Sequence, residues 1–232
     1  EIIDFPAAKG ASGTLVSKAQ RAYGFLREGI VSLEVPPGTP INKEDLCARL
    51  RISRHPVAEA LARLADDGLV EIEPQKGTYV ARIHLSAVNE GAFLRRAIEV
   101  ACVREITPTA DAALMEELQR NMRYQNAAIE AGDNNGFYAL DLAFHHALLG
   151  RLGFTRTIAA VDASRAQLER VRRLTLPKPG RIAATGDEHM TIVEAIAARD
   201  ADAAAEAMRT HLAATMAEVE DFARSQPEYF AG

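Results

Sequence analysis

Four side chains in the second half of the chain have the types and spacing of a metal site. Asp141 and His145 stand four residues apart in an apolar-periodic segment, so on a helix their side chains point the same way. Two more histidines, His189 and His211, occupy the apolar sides of two later segments. Because an unpaired buried carboxylate is costly and buried imidazoles need partners, one divalent ion would satisfy all four groups. Three nitrogens and one oxygen suit zinc, nickel, manganese or iron, and leave coordination positions open if the ion takes five or six ligands.

Each of these residues also has a more ordinary interpretation. Taken singly, a histidine on an apolar face is more often a hydrogen-bonded core residue than a metal ligand, and Asp141 with His145 could form a buried ion pair. His146 follows His145 directly and faces another side of the helix, so the spacing predicts that it is not a ligand.

The segments that carry these residues are predicted to be helices. Helix-forming residues dominate from Ser86 onward, and we predict six helices at about 86–106, 109–131, 134–150, 155–174, 180–198 and 201–225. Glycine, proline and aspartate occupy the breaks between them, and the connections are short. Six helices joined by short loops indicate an antiparallel bundle, with the four candidate ligands directed towards its interior.

The first half has a different pattern, which predicts a winged helix-turn-helix. We expect helices at 17–32 and 43–50 and a third that begins at Ser53, followed by a β-hairpin with strands at 69–73 and 78–83. Asn42 and Ser53 are the expected N-caps of the second and third helices. A helix followed directly by a hairpin with a basic tip is a shape that binds DNA. The predicted fold class is therefore mainly α, with a small β-hairpin wing ahead of a six-helix bundle.

Seven residues of this half are candidate DNA contacts. Arg54, at the start of the third helix, is placed to read a guanine edge with two guanidinium nitrogens, although it could instead touch only phosphate or cap locally. Lys76, at the hairpin tip, is a candidate for the minor groove or for phosphate, although an isolated hairpin lysine would mean little. For the remaining basic residues, an ordinary solvated surface position is the alternative. The candidates are Arg49, Arg51, Ser53, Arg54, His55, Lys76 and Gly77.

Motifs in the first half resemble the DNA-binding domain of the GntR family of bacterial regulators. The matching segments occur in unbroken order and include Ile52-Ser53-Arg54, Pro56-Val57, Glu59-Ala60-Leu61, Gly68-Leu69-Val70 and Gly77. The resemblance implies that Arg54 contacts bases and that Gly77, at the wing tip, enters the minor groove. Two positions depart from the pattern, because many relatives have arginine in place of Ala58 and some have it in place of Glu44. We therefore do not carry over an operator sequence.

The second half resembles the FCD effector-binding domain of one subgroup of that family, in its six-helix form. The pattern is carried by Leu94-Arg95-Arg96-Ala97-Ile98-Glu99, Asp141-x-x-Phe144-His145, Glu188-His189-x-x-Ile192 and His211. The resemblance implies that the metal ligands are Asp141, His145, His189 and His211.

It also implies a small carboxylate effector beside the metal, paired with an arginine of the first helix of this half. Arg95 or Arg96 fits that position, since a guanidinium binds a carboxylate through two parallel hydrogen bonds. A bridge along the helix from Arg95 to Glu99 is the alternative. Arg172 and Arg173 could also approach the cavity, but we expect them at solvated positions.

Gross composition limits the remaining choices. The net charge is −5, yet residues 1–84 carry 11 Lys/Arg and 11 Asp/Glu, whereas residues 85–232 carry 16 and 21. A dimer with two local basic patches can still bind DNA tightly. No apolar run reaches membrane-spanning length, and Cys47 and Cys102, the two cysteines, suit a reducing cytosol. We expect a mobile leader at 1–15, a winged domain at 16–83, a linker at 84–88, a helical domain at 86–225 and a tail at 226–232.

Together these patterns predict a cytoplasmic transcriptional regulator and not an enzyme. We expect a homodimer that binds double-stranded operator DNA and acts as a repressor, with the carboxylate effector changing its affinity. Three alternatives are a regulator that senses the ion itself, a metal held only for structure, and a metalloenzyme in which the ion activates water. The sequence offers no clear general base near the ligands, which argues against the enzyme.

Overall fold

The computed structural model describes residues 17–178 and 180–231, and these form two compact units. We call residues 17–85 together with 226–231 the winged unit, and Ser86–Ser225 the helical unit. The leader predicted at 1–15 lies outside the described residues.

Three α-helices and a hairpin form most of the described part of the winged unit. Their bounds are α1 Lys18–Val31, α2 Lys43–Leu50, α3 Arg54–Asp66, β1 Val70–Glu73 and β2 Gly77–Val80. Asn42 caps α2 as predicted, because its side chain accepts hydrogen bonds from the backbone N–H groups of Glu44 and Asp45. Apolar side chains at helical spacing on α1 and α3 form the core, and they include Leu26, Ile30, Val57, Leu61 and Leu64.

The second strand of the wing is shorter than predicted, and the chain beyond it pairs with the C-terminal segment. β1 and β2 are antiparallel, and β2 ends at Val80 and not at residue 83. Ile83 instead forms a parallel bridge with Phe230, in which the Ile83 N–H donates to the Tyr229 carbonyl at 3.0 Å. The Ala231 N–H donates to the Ile83 carbonyl at 2.9 Å. The predicted strand was too long because part of it pairs with a segment more than 140 residues later.

Within the described residues the helical unit contains seven α-helices. Their bounds are α4 Leu85–Ile106, α5 Ala112–Ala131, α6 Asn134–Gly150, α7 Thr155–Ser164, α8 Ala166–Thr175, α9 Arg181–Ala197 and α10 Ala201–Ser225, with a 3₁₀ turn at Thr107–Thr109. The predicted class, a winged helix-turn-helix followed by a helical domain, is confirmed. The described part of the helical unit has seven α-helices where six were predicted, because the segment at 155–174 is broken at Arg165.

That break lies against the first helix of the unit. A Cβ on Gly91 of α4 would stand 2.3 Å from the Ser164 carbonyl oxygen, so the two backbones approach more closely than any side chain would allow. Local sequence does not show this tertiary contact. Other helix ends do follow local signals: Gly132 ends α5 in the left-handed region, with φ 67°, and the Asp133 side chain caps α6.

The helical unit has an apolar core. Its main cluster includes Met122, Phe144, Ile192 and Met208, and each is at most 2% exposed. Among the described residues, no helix combines the length and the hydropathy that crossing a membrane requires.

Candidate metal centre and DNA-contacting surface

The four predicted metal ligands lie together inside the helical unit. α6 carries Asp141 and His145, α9 carries His189, and α10 carries His211. None of the four is more than 1% exposed. One ligand atom from each lies within 4.8 Å of the other three. Ligand atoms about 2.0–2.2 Å from one ion stand roughly 3–4 Å apart, so small adjustments bring these four to coordination distance.

Each imidazole of the cluster has an oxygen partner at Nδ1. The pairs are His145 with Glu99 Oε2 at 2.6 Å, His189 with Gln125 Oε1 at 2.9 Å, and His211 with Glu188 Oε2 at 2.7 Å. Carboxylate and amide oxygens only accept, so Nδ1 carries the proton in His189 and His211. His145 Nδ1 lies 2.6 Å from Glu99 without the geometry of a hydrogen bond, and the nearby carboxylate favours a proton on that nitrogen as well. The lone pair of each neutral ring is therefore at Nε2, which is the arrangement found in metal-binding histidines.

A chain of hydrogen bonds fixes the orientation of the Gln125 amide. Its Nε2 donates to Asn121 Oδ1 at 2.6 Å, and the Asn121 amide nitrogen donates to the Leu140 carbonyl at 3.0 Å. Because the donor end of Gln125 is engaged in this way, its oxygen faces His189. The tautomer of His189 is thus determined by groups on two other helices.

The three Nε2 atoms lie close together, and those of His145 and His189 approach the same oxygen of Asp141, Oδ1. His145 Nε2 and His211 Nε2 are 3.3 Å apart, and His189 Nε2 is 3.5 Å from Asp141 Oδ1. His189 Nε2 is buried and makes no hydrogen bond. Two ring lone pairs that face each other at 3.3 Å repel unless a cation lies between them. The donor atoms, their protonation and the buried nitrogen without a hydrogen bond all fit a divalent metal ion.

The electrostatics of the cluster favour the same protonation states. Burial lowers the pKa of His145 to about 4, and burial together with the neighbouring His211 lowers the pKa of His189 well below its usual value. Burial alone would raise the pKa of Asp141, but the Arg172 guanidinium holds the pKa of that carboxyl well below its ordinary range. Neutral imidazoles and an ionised carboxylate are the forms that bind metals.

Arg172 lies within the cluster, so the expectation of a solvated position is wrong. Its guanidinium is 2% exposed and donates to both oxygens of Asp141, at 2.6 and 2.7 Å. The following residue, Arg173, is half-buried with its guanidinium 3.9 Å from the centre of the Tyr138 ring. Sequence reasoning missed Arg172 because its partner is 31 positions away and a charged side chain is normally assigned to the surface.

Three further arginines of the helical unit are buried among the described residues, and one of them, Arg170, donates to Gln167 at 3.0 Å. Arg95 Nε donates to Glu99 at 2.6 Å, which is the bridge along the helix that the sequence left open as an alternative. Arg165 Nε is 3.0 Å from Glu169, while Arg165 Nη1 is buried without a hydrogen-bond partner. Burial and the nearby charge of Arg95 both lower the pKa of Arg165. Ion-paired arginines of α4 and of the residue before α8 therefore lie in the same buried interior as the cluster.

Two other residues considered from sequence lie outside the cluster. Arg96, the second candidate for the effector, is exposed, and its guanidinium is 5.9 Å from the centre of the Phe93 ring. The structure does not bring Arg96 to the site, because adjacent positions of a helix face different sides. His146 is directed away from the cluster, with Nε2 2.7 Å from Asp162 Oδ1.

In the winged unit, the first turn of α3 presents an exposed group of predicted DNA contacts. Arg54 and His55 are exposed, and Ser53 occupies the N-cap position without making the predicted capping hydrogen bond. Arg54 lies 2.8 Å from Glu44 of α2, with both side chains at least 75% exposed. An ion pair this exposed contributes little stability, so it can be replaced by a phosphate or a base edge.

The remaining predicted contacts lie in the turn before α3 and on the wing. Arg51 ends α2 with a left-handed backbone, φ 53°, and Arg49 is 4.0 Å from Asp45. On the wing, Lys76 is exposed and 3.0 Å from Glu73. Gly77 has φ 142°, and its own Cβ would be 3.3 Å from the ring of Tyr79, whose hydroxyl donates to the Lys76 carbonyl. Glycine is therefore needed at the wing tip.

A helix-turn-helix with a basic recognition end and a glycine-tipped basic wing defines a DNA-binding domain, here followed by a separate helical domain with a buried Asp/His cluster that could hold a metal ion. This combination places the chain in the class of winged-helix transcriptional regulators.

Comparison with known proteins agrees with this class. The model of bacterial regulatory proteins of the gntR family matches residues 18–80, and the FCD domain model matches residues 90–214. The chain is 31% identical over 212 residues to the HTH-type transcriptional repressor RspR of Escherichia coli (strain K12), covering 91% of this chain and 93% of RspR. It is 34% identical over 209 residues to an HTH-type transcriptional regulator in an unstable DNA locus of Streptomyces ambofaciens, covering 90% and 88%.

Among solved structures, the fold is similar to that of a GntR transcriptional regulator from Rhodococcus sp. RHA1, with a TM-score of 0.76 at 24% identity, covering 89% of this chain and 99% of that one. The chain belongs to the GntR family of bacterial regulatory proteins and carries an FCD domain. Its relatives are DNA-binding transcriptional regulators, so the expectation of a regulator and not an enzyme is confirmed.

Proposed function

We propose that this regulator is a cytoplasmic repressor whose affinity for operator DNA is controlled by a small carboxylate bound beside a divalent metal ion in the helical unit. The observation that carries this proposal is the convergence of three Nε2 atoms and Asp141 in a fully buried site. Asp141, His145, His189 and His211 would hold the ion, which is zinc, nickel, manganese or iron. When bound, the ion supplies a Lewis-acidic centre that an anionic oxygen can coordinate.

The charges around the site support an anionic effector. Among the described residues of the helical unit four buried arginines, Arg95, Arg165, Arg170 and Arg172, accompany three buried carboxylates, those of Glu99, Asp141 and Glu169, so positive charges already outnumber negative ones. With neutral histidines, a divalent ion adds two uncompensated positive charges to a buried region. A bound carboxylate offsets them, and Arg95 or another buried guanidinium can pair with its oxygens.

In this proposal, residues of the winged unit contact the operator DNA. Two chains in a homodimer would present two α3 helices to a two-fold operator, one in each half-site. Arg54 would leave Glu44 and donate to a guanine edge, while Lys76 and Gly77 would approach phosphate or the minor groove. Arg49, Arg51, Ser53 and His55 would position the domain on the backbone.

The effector test uses zinc-loaded protein and labelled DNA from upstream of its own gene. Sugar acids, hydroxy acids, dicarboxylates and aromatic acids are titrated in turn while fluorescence anisotropy reports DNA binding. We expect one class to weaken binding by about tenfold or more, within the usual range of coupling between sites. No change with any acid, in protein that holds the metal, contradicts effector control.

The DNA-contact test compares two arginines of α3. Arg54→Ala should weaken specific binding by about tenfold to a hundredfold and reduce discrimination between bases. Arg63→Ala is the control, because that guanidinium donates to Gln20 at 2.6 Å and lies over the Tyr23 ring within the domain. Equal losses in the two variants would contradict base contact by Arg54.

A second candidate is that the ion itself is the signal. The carboxylate of Asp141 is already bound by Arg172, so the ion must share or replace that partner and would change the interior of the unit by itself. DNA affinity that follows metal occupancy in the absence of any acid would support this alternative. Unchanged affinity with and without metal would leave the ion a structural role.

A further inference from the structure

A cation of the protein itself already occupies the carboxylate of the proposed metal site. Arg172 of α8 donates from Nη1 to Asp141 Oδ2 and from Nη2 to Asp141 Oδ1, in the two-bond arrangement that is strongest between these groups. Oδ1 is also the atom that His189 Nε2 approaches to 3.5 Å. The same oxygen therefore serves the guanidinium and faces the donor atoms of the metal site.

We infer that Arg172 regulates metal affinity by competing with the ion for Asp141, and that an anion which draws Arg172 away makes the metal bind more tightly. This rests on the proposed metal site and concerns a residue that is not one of its four ligands.

The Arg172 guanidinium should weaken Asp141 as a metal ligand. Both carboxylate oxygens already carry hydrogen bonds to a positive group, so less of their negative charge is available to an ion. Arg172 and the ion would also repel each other across one buried carboxylate, where water does little to screen them. A neutral group that hydrogen-bonds a metal ligand normally strengthens metal binding, whereas a cation bound to the ligand should weaken it.

Arg172 needs another partner once it leaves Asp141, because its charged side chain is buried. Its pKa is raised chiefly by Asp141, against the effect of burial, and Glu169 and Tyr138 make smaller contributions. Glu169 is 3.0 Å from Arg165. A carboxylate ligand can take the place of Asp141 as the partner of Arg172. Metal binding then favours anion binding, and by thermodynamic reciprocity anion binding favours metal binding to the same degree.

Two variants on adjacent positions of α8 test the inference. Arg172→Met removes the charge with similar length, while Arg173→Met is the control, since Arg173 lies over the Tyr138 ring and is not hydrogen-bonded to Asp141 in the structure. Zinc affinity is measured at pH 7.5 by competition with a chromogenic chelator, starting from zinc-loaded protein. Arg172→Met should bind zinc about tenfold more tightly than the parent protein, and Arg173→Met should match the parent.

A second measurement separates competition from a general effect on packing. Without metal, Arg172→Met leaves a buried carboxylate unpaired, so its melting temperature should fall below that of the parent. Zinc should then raise the melting temperature of the variant by more than it raises that of the parent. If Arg172→Met is folded only with zinc, that result is the extreme form of the same expectation, and the chelator competition still gives the affinity.

The outcomes distinguish this inference from the proposed function. If the parent protein binds no zinc, nickel, manganese or iron, the proposed metal site is wrong, and so is the proposal that Arg172 competes with an ion for Asp141. If the parent binds zinc and Arg172→Met binds it equally or more weakly, the metal site stands and the competition is refuted. Arg172→Lys, which retains the charge but not the two-bond geometry, should give an intermediate affinity.

Discussion

In each histidine of the candidate site, Nδ1 lies beside an oxygen of another residue and Nε2 is the nitrogen available to a metal ion. In His189 and His211, Nδ1 donates to an oxygen of another residue, which fixes the tautomer and the ring orientation, and His145 Nδ1 lies 2.6 Å from Glu99 Oε2. Nε2 of each ring faces the other candidate ligands. The partners are Glu99, Gln125 and Glu188, and sequence reasoning did not assign them this role. A signal was present for Gln125, which follows Leu114, Leu118 and Met122 on the buried face of α5. A polar residue on that face requires a buried partner.

Replacing Gln125 should therefore weaken metal binding without removing a ligand. In Gln125→Ala the Nδ1–H of His189 loses its acceptor, so the ring can rotate or change tautomer. We expect zinc affinity to fall by about tenfold to a hundredfold, as is usual when a group that hydrogen-bonds a metal ligand is removed. Gln119→Ala is the control, because Gln119 is an exposed residue of the same helix. Chelator competition measures both variants, and equal affinities would contradict the role of Gln125.

The buried histidines should also make the metal-free protein sensitive to acid. The folded-state pKa of His145 is about 4 against an ordinary 6.5, so between these values the unfolded chain binds a proton that the folded chain does not. The free energy of unfolding should thus decrease as the pH is lowered from 6.5 towards 4, by roughly 1 kcal/mol per pH unit for this residue. His189 acts in the same direction. Stability present above pH 6.5 is therefore lost as the pH approaches 4.

Urea unfolding of the metal-free protein at pH 7.5, 6.0 and 5.0 checks this expectation, since ionised carboxylates change little over that range. His145→Asn should show a weaker dependence on pH than the parent protein. Stability that is constant or rises on acidification would contradict a buried neutral histidine cluster.

At the scale of the elements, the helices that carry the ligands could be predicted from local sequence, and the path of the chain between them could not. Gly132 and Asp133 mark the boundary between α5 and α6, and Asn42 marks the start of α2, because capping uses groups within a few residues. The break between α7 and α8 has no such signal. It coincides with the close approach of Ser164 to Gly91, 73 positions earlier in the chain.

This close approach predicts that Gly91 cannot be replaced without loss. In Gly91→Ala the new Cβ would meet the Ser164 carbonyl oxygen at 2.3 Å, and neither backbone can move without displacing Arg165 and the start of α8. We expect a loss of about 2–3 kcal/mol in the free energy of unfolding, measured by urea denaturation. Gly150→Ala is the control, since its Cβ would meet nothing within 4 Å. A Gly91→Ala protein as stable as the control would contradict the close packing.

At the scale of the whole molecule, the helical unit is joined to the winged unit through both of its ends. α4 follows the wing and carries Arg95 and Glu99, and α10 carries His211 before the chain returns to pair with Ile83. The two helices that connect to the winged unit are thus also helices of the site. A ligand that shifts either helix has a covalent route to the DNA-binding residues, which is the physical basis we propose for control of operator affinity.

In the proposed site, three Nε2 atoms and Asp141 hold one divalent ion. The most direct measurement is anomalous diffraction at the zinc absorption edge, on crystals of the full chain grown with zinc. We predict one strong peak inside the helical unit, about 2.0–2.2 Å from Asp141 and from Nε2 of His145, His189 and His211. A cluster without a peak in zinc-containing crystals, or an ion bound through Nδ1 atoms, would contradict the account.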